Sequence, residues 1–468
     1  MKRVSLLFIA LLGAFLLAGG ARASAAWTAK TEPALAAALA GGGEAEFLVV
    51  LSERADLSRA AALGDKTARG RFVYETLAAT AARSQAPLRA LLDARGATYR
   101  AYWVANMIWV RGDANLARTL AARPEVSRVY ANTPQRAALP EPSLTGPRAA
   151  TAVEWNVAHV GAPEVWAQGY TGQGAVIGGQ DTGYDWTHPA LRDSYRGWNG
   201  SAADHDYSWH DAIHEDTLPT NDDNECGYGS LAPCDDSSHG THTMGTMVGQ
   251  TPQSSIGLAP GAKWIGCRNM ENGVGTPATY TECYEWFIAP YPVGGDPFTD
   301  GDPARAPDVI NNSWACTQGE GCTAPDVLRA VVEAVRAAGI LSVHSAGNEG
   351  GACASIGNPA AIYDASFTVG ATDSQDVIAG FSSRGPVLVD GSNRPKPDIV
   401  APGVGIRSSV PGGGYGWSQG TSMAAPHVAG LAALLISAEP ALAGQVDELE
   451  RIITTTAVRR TTTQGCGG

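Results

Sequence analysis

From residue 175 to residue 437 short apolar runs alternate with stretches of helical periodicity, and few folds accept that alternation. The runs 175–177, 264–265, 309–310, 340–344 and 366–369 read as strands, while 239–248, 324–338 and 422–437 read as helices. Strands that alternate with helices predict an α/β, doubly wound, mostly parallel sheet covered on both faces. Sites in such sheets sit at the carboxyl ends of strands, and Asp181 and Asn348 fall there. Upstream, residues 45–131 read as a separate small α+β unit. It has a strand at 46–51, a helix at about 68–95, strands at 98–104 and 107–110, a helix at 115–122 and a strand at 126–130. Between the two lies a Pro- and Ala-rich linker, residues 132–152, with Pro134, Pro140, Pro142 and Pro147.

Three motifs in the larger segment, residues 153–468, carry chemistry: Asp181-Thr182-Gly183, His239-Gly240-Thr241-His242 and Gly420-Thr421-Ser422-Met423-Ala424-Ala425-Pro426. A serine hydroxyl is a poor nucleophile at neutral pH. Acyl transfer therefore needs an imidazole to take its proton and a carboxylate to hold that imidazole in one tautomer. Asp181, His239 and Ser422 supply such a set. Taken one at a time each has an ordinary role: Asp181 as a turn residue, Ser422 as a helix cap, and Asn348 in Ser345-Ala346-Gly347-Asn348-Glu349-Gly350 as a turn asparagine. The order Asp, His, Ser distinguishes the set from the His, Asp, Ser and Ser, acid, His orders found on other folds.

With those motifs, residues 153–464 resemble the subtilisin-like serine proteases, in their bacillopeptidase-F-like branch. The resemblance implies catalytic Asp181, His239 and Ser422, with His242 structural and His427 a helix-packing residue. It implies an oxyanion hole from Asn348 and the Ser422 backbone N–H. Gly273-Val274-Gly275 and Ser313-Trp314-Ala315 resemble the two edge segments that hold an extended peptide substrate, and Gly357 the base of the first specificity pocket. Ala315 stands where the family usually has Gly. Residues 45–131 resemble the ferredoxin-like inhibitory prodomain of such enzymes, so the chain's own prodomain is an expected partner and 132–152 the expected processing region. A passive tether is the plainer reading of that linker. A noncatalytic peptide-binding protein and an esterase are the alternatives on the same fold. No cofactor is required by this chemistry, and a monomer is expected.

Composition limits the rest. With 468 residues, 44% hydrophobic and 17% charged, the chain can bury a large core. Residues 1–140 carry 18 Lys/Arg against 10 Asp/Glu, and 141–468 carry 15 against 36. Opposite balances suit two parts that associate, and the acidic half argues against nucleic acid as a partner. Met1-Lys2-Arg3, the apolar run 4–18 and Ala21-Arg22-Ala23-Ser24-Ala25-Ala26 have the three parts of a secretory signal, with cleavage after Ala23 or Ala25. That run is short for a membrane anchor, and no second stretch of spanning length is expected. A secreted protein, extracellular or periplasmic, follows.

Export makes the eight cysteines read as disulfides. Local bridges 226–234 and 316–322 are expected, with 316–353 as an alternative to the latter. The segment 197–262 has ten acidic residues and no Lys or Arg, among them Asp204, Asp206, Asp211, Asp222 and Asp223. Calcium is one reading of it and a solvated acidic loop the other. Ala190 stands where many relatives carry a calcium-ligand Asp. His205, His210 and His214 cluster in sequence without a zinc spacing.

Overall fold

The structure, a computed structural model, describes residues 27–460 except 137–138, 147–149, 216–223 and 316–323, together with 462, 463 and 466. The signal segment 1–25 lies outside the described residues. Two compact units partition the chain: Met1–Asp56 with Leu77–Thr133, and Leu57–Thr76 with Pro134–Gly468.

In the smaller unit the expected β-α-β-β-α-β pattern closes into one antiparallel sheet. Its strands run in the order Thr98–Tyr102, Met107–Asp113, Glu44–Leu51, Val126–Ala131. Period-two alternation puts Phe47, Val49 and Leu51 on one face with Ile108 and Val110, and the helices cover that face with Leu88, Leu92, Leu116 and Leu120. Asp113 starts the helix Ala114–Ala121 by accepting from Leu116 N at 2.8 Å. A helix that the sequence reading lacked, Pro33–Ala40, adds Leu35 and Leu39 to the same core.

The larger unit is built on a seven-stranded sheet, parallel throughout. The order is Ile399–Pro402, Phe367–Thr372, Leu341–Ser345, Val309–Asn312, Val176–Asp181, Lys263–Arg268, Trp209–Asp211. The strand order reverses between Val176–Asp181 and Val309–Asn312, where crossovers leave to opposite sides and open a crevice at the carboxyl ends. Sequence reading found the five inner strands and missed the two at the edges, Trp209–Asp211 and Ile399–Pro402. It also missed the helices Pro277–Ile288 and Val446–Thr456. Pro277–Ile288 is buried at every position but Thr279, so it has no polar face to reveal a period, although Thr276 and Thr279 form a capping box at its start.

The helix Thr421–Ala438 runs through the core, its Ala424, Ala425, Ala429, Ala432 and Ala433 sharing one apolar cluster with Leu341, Val343 and Val369. Small side chains let the helix sit close to the sheet. At 18 residues it corrects the expectation of no second stretch of spanning length, but 83% of it is buried within the protein. Disulfides join Cys226 to Cys234, Cys267 to Cys283 and Cys353 to Cys466. The first was expected, and the last rules out the 316–353 alternative. Cys316 and Cys322 lie outside the described residues.

Three histidines are locked neutral in this core. Burial lowers His242 to about 3, His344 to about 3 and His427 to about 4. His427 shows why: Nδ1 donates to Met423 O at 2.8 Å and Nε2 accepts from Asn156 Nδ2 at 2.8 Å, so a second proton has no place to go. Below pH 6.5 the unfolded chain protonates these rings and the folded one does not, so stability falls as pH falls. Each histidine costs about 1.4 kcal/mol per pH unit in that range. Asp236 acts oppositely, because burial raises it to about 6 and the folded state then takes up a proton first. Asp211 and Asp235, also raised by burial, oppose the histidines, and His188 and His205, lowered by burial, add to them, so the expected outcome between pH 7 and pH 5 is a net loss of stability. Urea unfolding of the Ser422→Ala chain followed by tryptophan fluorescence checks this, and a midpoint unchanged between the two pH values would refute it.

Candidate active site

Asp181 ends the strand Val176–Asp181 and is 1% exposed, as is His239, which opens the helix His239–Val248. Asp181 Oδ1 accepts from Thr182 N at 2.8 Å and lies 2.7 Å from His239 Nδ1. A carboxylate only accepts, so Nδ1 carries the ring proton and Nε2 presents a lone pair. That Nε2 is buried and has no hydrogen-bond partner among the described residues.

The approach of strand to helix depends on two glycines. Gly183 has φ 112°, and a Cβ there would overlap the Cys234 carbonyl; a Cβ on Gly240 would overlap the Gly183 carbonyl. A residue of the acidic segment to which the sequence assigns no role fixes the same junction. Asp235 accepts from Thr182 Oγ1 at 2.8 Å, Thr241 N at 2.9 Å, Thr241 Oγ1 at 2.5 Å, and the Ser237 and Ser238 N–H groups at 3.1 Å. It thereby ties the Asp181 motif to the His239 motif. Burial raises its pKa, and these donors work against that rise. Its Cys234 neighbour, held by the disulfide to Cys226, was the available signal.

Ser422 is the second residue of the helix Thr421–Ala438, where backbone N–H groups lack intrahelical acceptors and the dipole is positive. Pro426 lies four residues on and has no N–H to give the Ser422 carbonyl. Ser313 Oγ takes its place, donating to Ser422 O at 2.7 Å, while Ser422 Oγ donates to Ser313 O at 3.0 Å. The Ser422 hydroxyl therefore rests on Ser313 rather than on His239. Ser313, expected only as part of a substrate-binding edge, also seats the candidate nucleophile.

Asn348 Oδ1 accepts from Thr421 N at 2.9 Å and Thr421 Oγ1 at 3.1 Å, which leaves Nδ2 outward. A Cβ placed on Gly420 would lie 3.6 Å from both Asn348 Nδ2 and the Ser422 nitrogen, so both nitrogens lie beside Gly420.

The edge Gly273-Val274-Gly275 is already engaged. Val274–Gly275 pairs antiparallel with the linker residues Gln135–Arg136. Farther along the linker, Pro140 O accepts from Ser418 Oγ at 3.3 Å and Ser143 exchanges backbone hydrogen bonds of 2.7 and 2.8 Å with Trp417. Pro140 Cγ is 3.2 Å from the same Gly420 Cβ position. Trp314 is buried and stacks on Tyr280 with ring centroids 3.9 Å apart, Ala315 is partly exposed, and a Cβ on Gly357 would meet open space. The neighbouring Asn358 donates to Glu349 Oε1 at 2.9 Å, and Ser383 Oγ donates to Glu349 Oε2. An acid that sequence reading did not place near this pocket thus stands at its side, with both oxygens occupied.

The acidic segment does structural work. Arg268, fully buried, binds Asp236 and lies 3.3 Å from Asp211. Asp204 Oδ1 accepts from Asp206 N at 3.1 Å, and Asp206 Oδ1 from Val293 N at 2.9 Å. Asp222 and Asp223 lie outside the described residues. Among those described, these carboxylates do not gather into the multi-oxygen shell that calcium needs.

Comparison with known proteins identifies the family. Residues 172–467 match the model of the Subtilase family. The chain is 41% identical to Bacillopeptidase F of Bacillus subtilis (strain 168) over 373 residues, 76% of this chain and 24% of that protein. It is 32% identical to Subtilisin E of the same organism over 295 residues, 62% of this chain and 63% of that protein. It is also 32% identical to Subtilisin of Bacillus pumilus, covering 87% of it. The chain thus spans about a quarter of the first relative, at 24%, and under two thirds of the second, at 63%. A match of this extent, together with the ordered motifs on a seven-stranded parallel sheet, means that the chain belongs to the subtilase family.

Proposed function

We propose that the chain is an exported serine endopeptidase, made as a self-processing zymogen, that cuts peptide bonds through an acyl-enzyme. The observation that carries this reading is the buried Asp181–His239 pair at 2.7 Å, whose Nε2 has no partner among the described residues. A base held in one tautomer with its lone pair free is what a serine nucleophile needs. When a substrate carbonyl enters, Ser422 Oγ turns from Ser313 O, gives its proton to His239 Nε2 and attacks the carbon. The oxyanion that forms is met by Asn348 Nδ2 and the Ser422 N–H. His239 then protonates the leaving amine, and water repeats the sequence to release the acid.

Processing fits the course of the linker. Residues 135–136 lie along one proposed peptide-binding edge and Pro140 beside Gly420, so the bond to be cut falls between 136 and 140. Residues 45–131 then act as the inhibitory prodomain, and the disulfides suit an exported protein. For substrates, the open space at Gly357 and the paired state of Glu349 favour large apolar residues before the cut bond. The preference is graded, because each methylene in such a pocket is worth only about 1–3 kcal/mol.

Asn348→Ala is expected to lower kcat by about 100 to 1,000-fold with little change in KM, a magnitude measured in a subtilisin. Assaying it on a protein substrate and a simple ester side by side tests the reading. Parent activity on the ester alone would make the chain an esterase, and activity on neither would leave a peptide-binding protein.

A further inference from the structure

We propose that His210, His214 and Glu282 form a zinc site joining the edge of the large sheet to the helix Pro277–Ile288. His210 lies in the edge strand Trp209–Asp211, His214 three residues beyond that strand, and Glu282 in the middle of the helix. Their donor atoms all lie within 4.8 Å of one another. Glu282 Oε1 is 2.9 Å from His210 Nε2 and 2.5 Å from His214 Nε2. Side-chain exposures of 13%, 30% and 6%, in the order His210, His214, Glu282, leave the group partly open to solvent, most at His214.

The donor set selects the metal. Two imidazoles and one carboxylate suit a borderline ion such as zinc, whereas calcium and magnesium take oxygen shells. Tetrahedral zinc with bonds of about 2.1 Å holds its ligand atoms about 3.4 Å apart, so each contact needs to open by less than about 1 Å. Both histidines would bind through Nε2, giving up a proton there if it now bonds Glu282. Tyr291 Oη, 3.4 Å from His210 Nε2, or water completes the shell.

The frame around the group is stiff. His210 stacks on Trp286 at 17° and meets Tyr291 edge-on, and Trp286 is one helical turn from Glu282. Cys267, paired with His210 across the sheet, is bonded to Cys283, the residue after Glu282. Two of the three ligands are therefore held in place before any ion arrives, which lowers the entropy cost of binding. The set shares no residue with Asp181, His239 and Ser422.

The test uses the untagged full-length chain carrying Ser422→Ala, equilibrated with Zn2+, passed through a desalting column and assayed for zinc by mass spectrometry. One zinc per chain is expected, with cobalt giving the visible absorption of a tetrahedral site. His214→Ala and Glu282→Gln should each bring zinc close to none and abolish the zinc-dependent rise in thermal midpoint, while His205→Ala keeps both. His214 is the most exposed of the three, so its loss leaves the fold intact even if Glu282→Gln does not. A parent chain that retains no zinc, or a His214→Ala chain that retains as much as the parent, overturns the proposal.

Discussion

Ser422→Ala is expected to lower peptide hydrolysis roughly 10^6-fold, the scale that removing the nucleophile has in a subtilisin. The same substitution should leave the purified chain intact between residues 136 and 140. The physical reason is that Ser422 Oγ stands at the helix N-terminus beside Asn348 Nδ2, while the neighbouring hydroxyl, Thr421 Oγ1, is bonded to Asn348 Oδ1. Removing the hydroxyl also takes its donor from the buried Ser313 carbonyl, a cost of about 1–3 kcal/mol that the fold should survive. Intact mass of the purified protein and turnover of a protein substrate give the two readouts. Parent-level hydrolysis by the variant would remove Ser422 from the mechanism, and a chain still cut at the linker would mean that another protease processes it.

The second large effect is expected at Asp181. Asp181→Asn should cost about 10^4-fold in kcat with KM nearly unchanged. The amide keeps the shape of the carboxylate but loses the charge that stabilises the imidazolium, and its NH2 can turn toward Nδ1 and force the ring into the wrong tautomer. The side chain is 1% exposed, so water cannot substitute for the lost charge. A loss below tenfold would show that His239 does not depend on Asp181 for its protonation state. Asp235→Asn is not equivalent, since Asp235 reaches the site only through Thr182 and Thr241.

Local pattern was enough for the interior of the fold. The central strands and the helices at 239–248 and 421–438 were legible because each is long or apolar enough to show its period, and the Asp, His and Ser motifs were legible because they lie within a few residues of those elements. The edge strand Trp209–Asp211 was not, since three residues carry no period, and Pro277–Ile288 was not, since burial on all sides removes the polar face that marks a helix.

The sequence by itself determined the sheet class, the β-α-β-β-α-β unit and the three motifs with their order. All of these depend on residues near one another in the chain. The tertiary structure alone decided that Ser422 rests on Ser313, that Asp235 joins the Asp181 motif to the His239 motif, that Arg268 pairs with Asp211 and Asp236, and that Glu282 meets His210 and His214. Apart from Asp235 and Thr241, which are 6 residues apart, those partners are separated by 109, 53, 57, 32, 72 and 68 residues. Hydrogen bonds and ion pairs act over about 3 Å and leave no periodic trace in sequence, so they become visible only once the sheet has brought its strands together.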